Sequence, residues 1–167
     1  MSRGGEIAER VFEALFPASV DVVASGDEHV PMLAVLRERE GFSFMDVAGL
    51  PREALAELHR VSSVLPGVVA SALIMEAWSY RGDARSERDA ARLKALTAGA
   101  IEVADLRERT EVLIFNIRAG GAQRLAMCPI ERPANVLRRG DLIDPTSPGP
   151  GGYTSLAGRF VGDGRAR

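Results

Sequence analysis

Cysteine is nearly absent from this chain. Cys128 stands alone, so no disulfide can close within it. That fits a reducing compartment and excludes a disulfide-stapled scaffold. Lysine is reduced to Lys94, and nearly all positive charge is carried by arginine. Arginine forks pair with carboxylates in two-point geometry, so many surface Arg–Glu contacts are expected, each of small value. An excess of one charge is also missing: 21 basic residues stand against 23 acidic ones, interspersed, for a net charge of −2. A basic face is the usual mark of nucleic-acid binding, so that function gets no support. Long apolar runs are lacking as well. The longest, Val64 to Met75, is interrupted by Pro66, Gly67 and Ser71, too short to span a bilayer. The first residues carry Glu6, Glu9 and Glu13 and have no apolar signal-peptide core. A soluble, cytoplasmic protein is expected.

Histidine is limited to His29 and His59. Asp27, Glu28 and His29 are polar neighbours in a loop, without the regular spacing of a zinc or calcium site. His59 reads as a surface histidine on the polar flank of a helix. No metal and no cofactor are expected. Gly120-Gly121 and the glycines at 149–152 do not lead into a helix bearing Lys and Ser/Thr, so neither is a phosphate loop. No serine or threonine sits in a nucleophile elbow. Cys128 lies in a strand with no histidine placed beside it, which reads as a buried inert thiol.

What is present suits one folded domain over residues 1–144, followed by a Pro/Gly-rich linker and tail over 145–167. Ile7, Val11, Ala14 and Leu15 fall at helical spacing, and Pro17 is expected to end that helix. Val30–Leu36 and Phe42–Val47 read as a hairpin across a polar loop closed by Gly41. Pro51 opens a helix whose stripe is Leu55, Leu58, Val61 and Leu65, stopped by Pro66-Gly67. Val68–Tyr80 reads as a central strand. Ser86 caps a further helix ending at Gly99. Glu111–Ile117 and Gln123–Ile130 form a second hairpin around Gly120-Gly121, and Pro129 suits an edge. Residues 132–143 hold at most one more short element.

The fold class expected is α+β: a five-stranded mixed sheet, order 2-1-3-4-5, with the third strand parallel to the first. Helices pack on one face, the Leu55–Leu65 helix covering the side of Ala70 and Ala72. Met75-Glu-Ala-Trp78, Arg109-Thr-Glu-Val-Leu113 and Cys128-Pro-Ile-Glu-Arg132 are strand-end patterns. Through them residues 30–132 resemble a loose group of small α+β proteins of bacteria and their phages. The resemblance implies the sheet domain and no established activity.

Glu76 is the leading site candidate. It interrupts an apolar strand beside Trp78, and burial would raise its pKa, as in a general acid or base. A structural ion pair near the strand end, with Arg109 or Arg118 as partner, is the preferred account of it. Arg109 and Glu111 point to one side and would join Glu76 in a polar cluster. Trp78, Arg118 and Arg132 complete the binding candidates. Two functions follow. The first is a non-enzymatic protein-interaction or self-assembling module. The alternative is a small-molecule hydrolase or transferase using Glu76 and Arg109.

Overall fold

The computed structural model describes residues 2–83 and 85–146. The expected linker and tail lie outside the described residues from 147 onward. Among the described residues three α-helices accompany one sheet: α1 (Arg3–Ala24), α2 (Arg52–Ser62) and α3 (Glu87–Ala98). The strands are β1 (Met32–Arg37), β2 (Gly41–Asp46), β3 (Val68–Ser79), β4 (Thr110–Ala119), β5 (Ala122–Glu131) and β6 (Val136–Leu137). Their order is β2-β1-β3-β4-β5-β6. None of the helices among the described residues is long and apolar enough to cross a membrane.

The expected strand order holds and gains β6 at one end. The expectation of a mixed sheet does not hold: every neighbouring pair is antiparallel. The reason is a count of reversals. The β1–β2 hairpin turns the chain once, and the α2 crossover then returns β3 parallel to β2. Since β1 lies between them, β3 must be antiparallel to β1.

The helices also lie on both faces, not one. α1 buries Ala8, Val11, Phe12 and Leu15 against Ala72, Ile74, Phe115, Ile117 and Cys128. Small residues at Ala34, Ala70, Ala72 and Ala126 let this helix, not α2, approach closely. α2 sits on the opposite face, where Leu55 and Leu58 meet Leu33, Leu73, Met75 and Ile114. α1 does not stop at Pro17 but runs seven residues further, to Ala24. A proline costs the helix a backbone bond, yet Phe12 and Leu15 before it and Ser19 and Val23 after it are buried together. Packing on both sides outweighs the local break.

Other expectations stand. Ser86 caps α3 by accepting from the Asp89 amide, and Gly99 closes it in the left-handed region at φ 75°. Gly120 and Gly121 form the two-residue turn with φ 53° and 78°, the phase a tight hairpin demands. The edge position expected at Pro129 does not hold, because β6 pairs beyond β5 at Ile130 and Glu131, yet the missing N–H of Pro129 costs nothing to β4. Leu125 turns its own N–H away from β4, to Ile143, and residue 129 has the same phase.

Candidate functional site

Alternation along β3 puts Glu76 on the α1 side of the sheet, beyond the end of the apolar run Ala72–Ile74. Its side chain is only 9% exposed. Oε1 accepts from the His29 amide at 2.8 Å. Arg132 reaches across from the end of β5, its Nη2 3.7 Å from Glu76 Oε1 and 3.5 Å from Glu111 Oε1. One guanidinium thus bridges two carboxylates. Glu76 Oε2 is buried and meets no hydrogen-bond donor. Burial pushes the Glu76 carboxyl above its ordinary range. The His29 amide pulls it down, the Glu111 charge pushes it up, Arg132 pulls it down, and Glu28 pushes it up.

The ion-pair partner expected for Glu76 was Arg109 or Arg118, and neither fills that place. Arg109 lies with its guanidinium 4.4 Å from the Trp78 ring centroid, a cation–π contact, and donates to the Ala104 carbonyl. Trp78 itself faces Glu111 across the β3–β4 pair. Arg118 is on the other side of the sheet, at the hairpin end of β4, where it faces Ser71 and Gln123. So Glu76, Glu111 and Arg132 come together, Trp78 and Arg109 stack beside them, and Arg118 is excluded. Sequence spacing could not reveal Arg132 as partner, because it enters from a third strand through register alone.

Both histidines are buried. His29 joins α1 to the sheet: its Nε2 is 3.1 Å from Ser19 Oγ and its Nδ1 3.1 Å from the Val30 carbonyl. A carbonyl only accepts, so Nδ1 carries the proton and Nε2 takes the serine hydroxyl. Burial holds its pKa below the usual value. The expectation of a surface His59 is overturned, since it is 2% exposed. Its Nε2 donates to the Ser71 carbonyl at 3.2 Å, and Ser71 Oγ donates back to the His59 carbonyl at 3.4 Å. Burial foremost, with the Arg118 charge adding, lowers its pKa to about 4. The buried stripe of α2 is Leu55, His59 and Ser62, rotated from the expected Leu55, Leu58, Val61 and Leu65. Val61 and Leu65 are left exposed.

Cys128 is buried, as expected, and burial pushes its thiol up to about 11. Among the described residues no three His, Cys, Asp or Glu side chains are grouped to hold a metal ion.

A second feature lies at the sheet edge. β2 is the terminal strand, and Phe44 and Met45, on its two faces, are 56% and 52% exposed. Phe42 and Phe44 stack at 5.9 Å on one face. No protein-family model matches the chain, and neither a curated protein nor a solved structure matches it.

Proposed function

We propose that this chain is a protein-interaction module that pairs with a second copy of itself along β2. The observation that carries the reading is the uncovered apolar edge at Phe44 and Met45. Val47 donates its N–H to Pro31, so odd positions of β2 face β1. By alternation Phe42, Phe44 and Asp46 turn their N–H and C=O groups outward. Natural edges are usually blunted by lysine, proline or a bulge. From Gly41 to Met45 β2 carries no charge and no proline, and its pairing with β1 is regular. A strand with this pattern is self-complementary. Antiparallel pairing centred on Phe44 sets that ring against Phe44 of the second copy, and Ser43 against its Met45. This is strand addition, in which main-chain bonds supply affinity and alternate side chains supply register.

Light scattering on the size-exclusion peak tests it. The wild-type chain elutes as a dimer and Phe44→Lys as a folded monomer. A wild-type monomer, or a dimer unchanged by Phe44→Lys, overturns the reading.

The hydrolase or transferase reading has one observation in its favour, the buried Glu76 with its raised pKa. Arg109 gives it less, being held by Trp78 and the Ala104 carbonyl. Arg132 also ties Glu76 to Glu111 as a structural ion network, and that accounts for the buried carboxylate without chemistry.

A further inference from the structure

We propose that Arg118 forms the centre of an oxyanion-binding site on the α2 side of the sheet. The site is independent of the β2 edge, from which β1 and β3 separate it.

Register places Arg118 directly between Ser71 on β3 and Gln123 on β5. All three side chains project to the face that α2 partly covers, and His59 of α2 bonds to the Ser71 backbone beside them. Asn116, two residues earlier on β4, shares this face, and its Oδ1 accepts from Gln123 Nε2 at 2.9 Å. Gln123 Nε2 keeps a second proton.

Arg118 differs from its neighbours in one respect. Arg124 meets Asp144 at 3.3 Å, and Arg132 meets Glu111 at 3.5 Å. Among the described residues no carboxylate pairs with Arg118, and its buried Nε has no hydrogen-bond acceptor. The groups around it are amides, hydroxyls and a neutral imidazole, none of which neutralises a guanidinium. Burying part of a charged donor without an acceptor is unfavourable, and an anion would reverse that. The residue as a whole is part-buried, not fully enclosed.

The chemistry defines the ligand class. A planar guanidinium offers two parallel N–H groups, the match for two oxygens of a carboxylate or a phosphate. The second proton of Gln123 adds a donor at the rim. His59 donates through Nε2 to Ser71, so its Nδ1 is a lone pair when the ring is neutral. An anion at Arg118 offsets the positive charge that disfavours the protonated ring, which makes His59 a built-in reporter.

The test is a proton–nitrogen NMR titration of the full chain with inorganic phosphate, and separately with acetate, at constant ionic strength against chloride. The expected result is a saturable shift of the Arg118 Nε–H and the His59 ring signals, with the His59 pKa rising from about 4. Saturation by phosphate alone assigns the site to phosphate, and saturation by acetate as well assigns it to carboxylates generally. Arg118→Gln removes the effect while distant signals stay in place. Arg118→Lys serves if the glutamine variant does not fold. It keeps the charge but loses the fork, so it binds more weakly. No saturable shift with either anion at millimolar concentration overturns the proposal. So does wild-type binding in a folded Arg118→Gln or in Arg118→Lys.

Discussion

The backbone amide of His29 donates to Oε1 of Glu76 at 2.8 Å, across 47 positions of sequence. This bond holds the loop between α1 and β1 onto the end of β3. The function of Glu76 in the fold is therefore acceptance, which does not require a charge. Glu76→Gln keeps an acceptor for that amide and removes a carboxylate whose ionised form burial disfavours. It is expected to change stability by less than about 1 kcal/mol. Glu76→Ala leaves the His29 amide with no acceptor and is expected to cost about 1–3 kcal/mol. Urea denaturation of both variants measures the difference. Equal losses would show that the carboxylate charge, paired with Arg132, is what matters.

His59 makes stability depend on pH. Its folded pKa is about 4 against an ordinary 6.5, so the unfolded chain binds the proton more readily. Stability from this group is complete above about 6.5 and is lost as pH falls from there towards 4. The shift corresponds to about 3 kcal/mol. His29, also lowered by burial, acts in the same direction. Glu76 acts in the opposite one: its raised pKa adds stability as the carboxyl takes up its proton. Denaturation between pH 7 and pH 4 should show a net loss, with the slope reduced in His59→Gln. An unchanged slope in that variant would assign the loss elsewhere.

At Gly4 the backbone of α1 comes close to the β4–β5 turn. A Cβ there would lie 2.3 Å from the Ala119 carbonyl oxygen and 3.0 Å from the Ala122 Cβ. Gly4→Ala would raise helix propensity by about 1 kcal/mol on an exposed helix. Here the obstacle is backbone, which cannot rotate aside, so the substitution is expected to destabilise by about 1–3 kcal/mol. Thermal unfolding of Gly4→Ala decides it. A melting temperature at or above wild type would mean that α1 begins farther from the β4–β5 turn.

The strands were legible because their signals are local. Gly120-Gly121 states its turn by itself, and the β-branched start of β3 states its strand. The phase of α2 was not legible, because two stripes compete at helical spacing. Leu58, Val61 and Leu65 are the more apolar set, but His59 and Ser62 are the ones buried, since the Ser71 carbonyl gives the imidazole a partner. Pro17 misled for a related reason: its local penalty is certain, while the packing that overrides it comes from β4 and β5. At the candidate site, Glu76 stood out as a charge within an apolar run. Its partner did not, because Arg132 meets it only once strands β3, β4 and β5 are in register.

Finally, α1 packs across β3, β4, β5 and β6, which follow it in the chain. A ribosome makes the helix first and the surface it needs last. At roughly 5–20 residues per second, Val11, Phe12 and Leu15 wait for several seconds with their apolar stripe unmatched. The hairpins, whose strands are neighbours in sequence, can assemble in the meantime. Vectorial synthesis thus separates growth of the sheet from closure of its α1 face, and the nascent chain is most vulnerable to aggregation before β6 emerges.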